Sequence, residues 1–159
     1  TADSHLALPR VSASADELSA HDFVTFRGLN HAPLAMTAHV VYEAIDPQRP
    51  ATTSSKIIHR IIRGEIGFDG LLMSDDLSMA ALDGPFGERT KSALFAGCDI
   101  VLHCNGRLDE MREIAGEAKP LSGHALRRAE AALSHLRAPV PLDIQRAEAR
   151  LDELVGAVA

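Results

Sequence analysis

The apolar positions along the chain follow two patterns, one typical of helices and one typical of buried strands. In segment 54–67, isoleucines recur at helical spacing on one face, Ser54 or Ser55 precedes them as a cap, and Gly67 is a helix stop. Segments 70–75 (G-L-L-M-S-D) and 98–104 (C-D-I-V-L-H-C) are short and nearly continuous in apolar residues, as in strands buried on both faces. We predict one helix and two strands from these segments.

The same patterns assign the remaining segments. Segment 32–42 (A-P-L-A-M-T-A-H-V-V-Y), rich in small and β-branched residues, is predicted as one strand. Segment 12–30 predicts one or two short helices that end near Gly28, and segment 87–97 predicts a helix closed by its terminal glycine. Three more helices are predicted in segment 107–159. From the first predicted strand onward, the order is strand, helix, strand, helix, strand, helix.

Apolar strands joined by crossover helices predict a parallel sheet covered by helices, either an open doubly wound sheet or a (β/α) barrel. No G-x-G-x-x-G loop follows a strand, which counts against a nucleotide-binding sheet. Polar residues follow each strand instead, as T-A-H, S-D-D and H-C-N-G, and barrel enzymes place their sites at such strand ends. We predict an α/β fold that forms the C-terminal part of a TIM-type (β/α)8 barrel, because about three strands are too few for the whole.

Composition narrows the class of protein. The chain has 159 residues, 46% hydrophobic and 24% charged, as in ordinary globular proteins, and its formal net charge is -6. No basic patch suggests a nucleic acid or an anionic membrane as partner, and no apolar run approaches the roughly 20 residues of a membrane span. The two cysteines, Cys98 and Cys104, are predicted as buried reduced thiols.

Two adjacent carboxylates end the second predicted strand. Neighbouring side chains on a strand point to opposite faces, so Asp75 and Asp76 cannot have the same role. An aspartate at a strand-to-helix junction is often a helix cap, and Asp76 suits that role because D-L-S-M-A-A-L can begin a helical turn. Asp75 is therefore the stronger candidate for chemistry.

Other candidates lie near the N-terminus and at strand ends. In A-D-S-H, Asp3 and His5 face the same way on an extended segment, so the carboxylate can orient the imidazole; the alternative is a turn followed by a surface histidine. His39 and His103 lie near strand ends, either as site residues or as packed structural histidines. The histidines show no metal-binding spacing, and no lysine lies at a strand C-terminus, where a lyase barrel normally needs one.

Four segments, in the same order, resemble the C-terminal half of family 3 glycoside hydrolases, and more narrowly the bacterial β-N-acetylglucosaminidases of peptidoglycan recycling: D-S-H-L-A-L-P, P-L-A-M-T-A-H-V-V-Y, G-F-D-G-L-L-M-S-D-D-L-S-M-A-A-L and A-G-C-D-I-V-L-H-C-N-G. The resemblance implies a retaining β-glycosidase on a TIM-type barrel, with no cofactor and no metal. It implies that Asp75 is the nucleophile, that His5 is the general acid/base and that Asp3 is the partner of His5.

The resemblance also implies a domain organisation. Residues 1–13 would form the catalytic loop, residues 14–106 the last barrel strands and helices, and residues 107–159 the C-terminal helices. An N-terminal half of the same barrel, absent from this chain together with the family's K-H-F-P-G-H-G stretch, would complete the domain.

Further expectations concern substrate and location. Ser4, His39 and Met79 are predicted to bind the substrate, a cell-wall sugar that contains N-acetylglucosamine, in the bacterial cytoplasm. Three alternatives stay open: a sister β-glycosidase or phosphorylase, a non-catalytic binding module derived from a barrel, and a mutase or aldolase-like barrel enzyme.

Overall fold

The computed structural model of the protein describes residue 3 and residues 6–156. The described residues form five short strands: β1 Arg10–Val11, β2 Leu34–Met36, β3 Val41–Tyr42, β4 Leu71–Asp76 and β5 Ile100–Leu102. The first helix, α1, consists of Ala15–Glu17, the π-helical turn Leu18–Asp22 and Phe23–Arg27. The other helices are the π-helical α2 Ile57–Glu65, preceded by a 3-10 turn at Ala51–Thr53, then α3 Phe86–Ala96, α4 Leu108–Glu117, α5 Gly123–Leu133 and α6 Ile144–Gly156.

All strand pairs in the described part of the chain are parallel. β4 lies between β2 and β5, with Ala35 of β2 opposite Leu72 of β4. β1 and β3 pair in a second, two-stranded sheet, with Arg10 opposite Val41. Helices α2 and α3 connect successive parallel strands, as in (β/α) units. The predicted α/β fold, with the architecture of part of a TIM-type barrel, is confirmed.

The single strand predicted over residues 32–42 is wrong, because the structure divides this segment into β2 and β3. The Thr37 N–H continues the ladder with β4 by donating to the Met73 carbonyl at 2.9 Å, and the chain bends beyond it. The bend buries the polar side chains of Thr37 and His39. Val41 then resumes an extended conformation, but its partner is β1, a two-residue strand too short to show a pattern in the sequence.

Helix ends follow local sequence signals. Ser14 caps α1 in a capping box with Glu17, in which each side chain accepts the other residue's backbone N–H. The Ser54 hydroxyl accepts the Ile57 N–H at 3.2 Å, which identifies Ser54 as the cap of α2. Gly97 ends α3 at a φ of 118°, a left-handed conformation that glycine adopts without the steric cost of a Cβ.

The hydrophobic core lies between β4 and the helices α2 and α3. Ile58 of α2, Leu72 of β4 and Leu77 after β4 are fully buried. Ala93 and Ala96 of α3 are also fully buried, and their small side chains let α3 approach the sheet closely. This packing fixes the strand end that carries the two aspartates.

An apolar cleft of about 380 Å³ lies beside β2 and α2. Four of its apolar side chains are between 46% and 57% exposed: Phe26, Leu29, Leu34 and Met36. Among the described residues, β2 pairs only with β4, so its other edge is open. An open strand edge beside apolar surface is a feature that complete barrels avoid.

The three helices predicted after residue 107 are confirmed as α4, α5 and α6. Ile114 anchors α4 in the core, whereas α6 buries none of its described residues. Of the two cysteines, Cys98 is buried as predicted, but Cys104 is exposed and its predicted burial is wrong, because the chain has already left the sheet after β5. Within the described part of the chain, no helix is both long and apolar enough to span a membrane.

Candidate active site

The C-terminal end of β4 carries Asp75 and Asp76. Leu72 and Ser74 of the same strand are fully buried, and the Ser74 hydroxyl accepts the Leu102 N–H at 3.0 Å, which ties β4 to β5. Both aspartates are only partly buried, so the strand passes from core to accessible surface over its last two residues. This is the strand end predicted to hold the site.

Hydrogen bonds hold the Asp76 carboxylate on both of its oxygens. Oδ1 accepts the Ser78 N–H at 2.9 Å and the Cys104 N–H at 3.1 Å, and Oδ2 accepts the Ser78 hydroxyl at 2.6 Å. Burial acts to raise the pKa of Asp76, but these hydrogen bonds outweigh burial and hold the pKa below its ordinary value. Asp76 therefore closes the turn after β4 and joins it to the end of β5.

The Asp75 carboxylate has a different environment. Its Oδ1 accepts the Asp76 N–H at 2.8 Å, and no other hydrogen bond or ion pair is formed by this side chain within the described residues. Oδ2 is therefore left without a donor in this part of the molecule. Desolvation, followed by the nearby carboxylates of Asp76 and Asp75, raises the pKa of the Cys104 thiol.

His39 lies in the bend between β2 and β3, and its ring reaches the backbone of Asp76. Its side chain is fully buried, with Nδ1 at 2.8 Å from the Thr52 hydroxyl and Nε2 at 2.9 Å from the Asp76 carbonyl. Both ring nitrogens thus have partners within the chain. The predicted contact of His39 with substrate is not supported by this burial, and of the two interpretations left open by the sequence the structural one fits.

His103 also has a structural environment. Its Nε2 lies 2.8 Å from Glu110 Oε2, to which the Asn105 amide also donates at 2.6 Å, and its ring contacts Phe86 edge-on. The hydrogen bond with His103, followed by the one from Asn105, lowers the pKa of Glu110. These contacts hold the segment after β5 in place. In this segment the Cys104 N–H donates to the Asp76 carboxylate.

Arg89 on α3 is a site-supporting residue that the sequence did not reveal. Its guanidinium donates to the carbonyls of Leu77 at 2.6 Å, Met79 at 3.3 Å and Gly84 at 2.9 Å, and so holds the turn after the aspartates. No sequence pattern indicates this role, because the acceptors are backbone groups. The D-x-S spacing of Asp76 and Ser78, in contrast, is a known turn signal that could have been used.

Of the remaining predicted site residues, the structure describes Asp3 and Met79. Ser4 and His5 lie outside the described residues, so their roles stay predictions. The Asp3 carbonyl accepts two N–H groups, those of Leu6 and Ala7, both at 3.0 Å. These two hydrogen bonds join backbone groups and do not distinguish between the two interpretations of A-D-S-H. Met79 is buried in the turn after β4, which does not support its predicted contact with substrate.

Metal binding was not expected from the sequence. Among residue 3 and residues 6–156, no three His, Cys, Asp or Glu side chains cluster in a way that could hold a metal ion.

Comparison with known proteins places the chain in a family. Residues 1–137 match the Glycosyl hydrolase family 3 N terminal domain, and the chain therefore belongs to this family. It is 50% identical over 107 residues to a protein named Beta-hexosaminidase from Alkalilimnicola ehrlichii, a match that covers 65% of this chain and 30% of the relative. It is 42% identical over 129 residues to the Beta-hexosaminidase of Tolumonas auensis, covering 78% of this chain and 38% of that protein. The chain spans about a third of the length of these relatives.

Solved structures give the same result. A glycoside hydrolase family 3 β-N-acetylglucosaminidase from Paenibacillus sp. superposes with a TM-score of 0.72 at 28% identity, over 89% of this chain and 30% of that structure. Native NagZ from Neisseria gonorrhoeae superposes with a TM-score of 0.68 at 41% identity, over 82% of this chain and 38% of that structure. The family resemblance seen in the sequence is confirmed.

Proposed function

We propose that this chain supplies the nucleophile of a retaining β-N-acetylhexosaminidase, which removes terminal β-linked N-acetylglucosamine through a covalent glycosyl-enzyme. The observation that carries the proposal is the contrast between two adjacent carboxylates. Asp76 accepts three hydrogen bonds and is held in place, whereas Asp75 accepts one and keeps Oδ2 without a donor in the described part of the chain. An oxygen with no donor keeps its lone pairs available for attack on an anomeric carbon.

The proposed first step is attack by Asp75 Oδ2 on the anomeric carbon. The bond from Oδ2 to that carbon forms as the bond to the departing oxygen breaks, and the departing oxygen receives a proton from the general acid. In the second step a water molecule gives a proton to the same group, now a base, and displaces Asp75 from the sugar. Two displacements at one carbon retain the β configuration.

The general acid/base that we propose is His5, with Asp3 as its partner. This assignment rests on the D-S-H motif and its family resemblance. An imidazole is suited to giving and then recovering a proton, because its ordinary pKa lies near neutral pH. A neighbouring carboxylate can fix its tautomer and raise its basicity. Ser4, between the two residues, is proposed as a contact to the sugar.

The proposed substrate is a peptidoglycan fragment with a terminal β-N-acetylglucosamine, cleaved in the bacterial cytoplasm. The substrate class is supported by the relatives, which are named Beta-hexosaminidase, and by the solved β-N-acetylglucosaminidase. The peptidoglycan origin rests on the sequence resemblance to that subgroup.

We also propose that further strands of the same barrel pack against the open edge of β2. The partly exposed Phe26, Leu34 and Met36 in the cleft beside β2 support this proposal. Three-stranded parallel sheets with an exposed apolar face are poorly suited to stand alone. When the 159-residue chain is produced alone, we expect it to self-associate or to bind a hydrophobic dye. A soluble, dye-free monomer would contradict this part of the proposal.

The test of function is hydrolysis of aryl β-N-acetylglucosaminides by the full-length protein. We expect release of the aryl alcohol and of the β-anomer of N-acetylglucosamine as first product, detected by NMR. Asp75→Asn should abolish this activity, whereas Asp83→Asn, the same change at an exposed residue of the following loop, should not.

Each alternative predicts a different outcome of the same assay. A first product of α configuration would exclude the covalent mechanism. Formation of a sugar phosphate when inorganic phosphate is present would indicate a phosphorylase. Binding of N-acetylglucosamine without any turnover would indicate a non-catalytic module.

A further inference from the structure

A buried chain of three polar side chains ends at the backbone of the aspartate pair. The hydroxyl oxygens of Thr37 and Thr52 lie 2.8 Å apart, and the Thr52 hydroxyl lies 2.8 Å from His39 Nδ1. His39 Nε2 lies 2.9 Å from the carbonyl of Asp76. All three side chains are at least 95% buried, since Thr37 is 5% exposed and the other two are 0% exposed. The function proposed above gives this series of hydrogen-bonded side chains no role.

The chemistry of the acceptor fixes the proton positions. A carbonyl oxygen can only accept, so the proton of this hydrogen bond must be on His39 Nε2. The ring contacts a hydroxyl and a carbonyl, with no carboxylate bonded to either nitrogen, and burial of an uncompensated imidazolium is costly. The ring is therefore neutral, and Nδ1 is an acceptor. It follows that Thr52 donates to His39, and that Thr37 donates to Thr52.

The hydrogen bond from His39 holds the peptide group between Asp76 and Leu77, which directly follows the aspartate pair. Its carbonyl, that of Asp76, accepts from His39, and its N–H, that of Leu77, donates to the Leu102 carbonyl at 2.9 Å. The peptide is thus fixed from both sides. Because the Asp76 N–H donates to Asp75 Oδ1, the orientation of Asp76 in turn determines where the Asp75 carboxylate lies.

We propose that His39, as the neutral imidazole with its proton on Nε2, is the positioning residue for Asp75. The catalytic consequence rests on the function proposed above, since positioning matters for rate only if Asp75 attacks the substrate. A displacement of about 1 Å at a reacting group can cost about 100-fold in rate. His39 contacts no substrate in this scheme; it acts through the Asp76–Leu77 peptide.

The tautomer is tested by nitrogen-15 NMR of the full-length protein, with the His39 signals assigned by their loss in His39→Gln. We expect the shifts of a neutral ring protonated on Nε2 at pH 7, and a hydrogen-bonded Thr52 hydroxyl. An imidazolium, or a ring protonated on Nδ1, overturns the proposal. This measurement does not depend on activity, and if His39→Gln fails to fold the signals are assigned through their coupling to the Thr52 hydroxyl proton.

The positioning role is tested by a matched pair of variants. In His39→Gln the amide N–H can reach the position of Nε2, whereas in His39→Asn it reaches only that of Nδ1. We expect hydrogen exchange of the Leu77 amide to accelerate about tenfold in the Asn variant and to stay near wild type in the Gln variant. The kcat on an aryl β-N-acetylglucosaminide should fall about 10- to 100-fold in the Asn variant with KM nearly unchanged, and stay within about threefold in the Gln variant.

Two results would overturn the positioning role. One is equal Leu77 exchange in both variants and wild type; the other is an equal loss of kcat in both variants, which would indicate a role in stability only. If either His39 variant fails to fold, Thr52→Val and Thr52→Ser replace them, because only the serine keeps the donor to Nδ1. If the wild-type protein hydrolyses no β-N-acetylglucosaminide, the proposed function fails, while the tautomer and the Leu77 exchange still decide whether His39 holds the peptide.

Discussion

The carboxylates at the two ends of the β4–β5 strand pair have opposite environments. At the N-terminal end, Asp99 is nearly buried and its carboxylate accepts from Arg63 at 2.8 Å, from Arg128 at 3.0 Å and from the Leu72 N–H at 2.9 Å. At the C-terminal end, Asp75 accepts a single backbone N–H. One carboxylate is neutralised by two cations, and the other has no cation bound to it within the described residues.

This difference suggests that the N-terminal end of the strand pair stabilises the fold, while the C-terminal end carries the chemistry. Arg128 extends the N-terminal cluster to Asp69 at 2.7 Å, and so attaches α5 to the sheet. The hydrogen bonds from Arg128, followed by those from Arg127, lower the pKa of Asp69. A barrel commonly keeps its stabilising contacts at this end and its chemistry at the other. We therefore expect substitutions at the two ends to have different effects on activity and on stability.

The largest expected effect is that of Asp75→Asn on activity. Loss of the attacking oxygen should lower kcat at least about 10³-fold. The melting temperature should change little, since this side chain makes one hydrogen bond within residues 6–156 and lies outside the buried core. Steady-state kinetics and a thermal scan of the same preparation check both statements. A clear loss of stability with retained activity would show that Asp75, like Asp99, has a structural role and is not the nucleophile.

The next effect is that of His5→Ala. Removal of a general acid should cost about 10²–10⁴ in rate on natural glycosides. The loss should be much smaller on an aryl glycoside whose leaving group needs no proton. Kinetics on both substrates check this expectation, and equal losses on the two would show that His5 is not the general acid.

At the opposite strand end, Asp99→Asn should reduce stability without a specific effect on catalysis. The change leaves two guanidinium groups short of their shared partner, and breaking such a buried pair costs about 3 kcal/mol. Asp69→Asn is the matched control, because Asp69 is largely exposed and its ion pairs should contribute about 1 kcal/mol or less. Denaturant unfolding measures both. If the two variants lose the same stability, burial of Asp99 is not what makes it important.

The smallest effect concerns pH. Because hydrogen bonds hold the folded-state pKa of Asp76 below its ordinary value of 3.8, its carboxylate stabilises the fold above about pH 4. That contribution should be lost as the pH falls through the lowered pKa. The melting temperature of Asp76→Asn should therefore lie below that of wild type near pH 7, and the gap should narrow as the pH falls below about 4. A gap that widens in acid would contradict the hydrogen-bond assignment.

How far the sequence predicts the structure depends on the range of the contacts involved. The helix at Ile57–Glu65 and the strand at Leu71–Asp76 were predicted, because isoleucine spacing and an apolar run are local signals. The division of segment 32–42 was not, since it results from His39 reaching Thr52 and Asp76, residues distant in sequence. The π-helical winding of α2 had no signal that we recognised.

The candidate site shows the same division. Strand alternation predicted that Asp75 and Asp76 would differ, and their environments do differ: Asp75 Oδ1 accepts one backbone N–H, whereas Asp76 accepts three hydrogen bonds. The helix cap predicted at Asp76 is wrong, because turns follow it and the next helix begins only at Phe86. The role of Asp75 as nucleophile stays a prediction. Arg89 was missed because its partners are carbonyl groups, which carry no residue identity. The environment of His39 and His103 could not be chosen from sequence alone, since a histidine at a strand end fits either a site or a core.

The central claim is that Asp75, and not its neighbour, becomes covalently attached to the sugar. It is tested most directly by trapping the full-length protein with a fluorinated N-acetylglucosaminyl fluoride, whose good leaving group permits the first step while the fluorine slows the second. Peptide mass spectrometry should then find one sugar on Asp75, and none in Asp75→Asn. A sugar on Asp76, or full turnover with no trapped intermediate under any condition, would contradict the account.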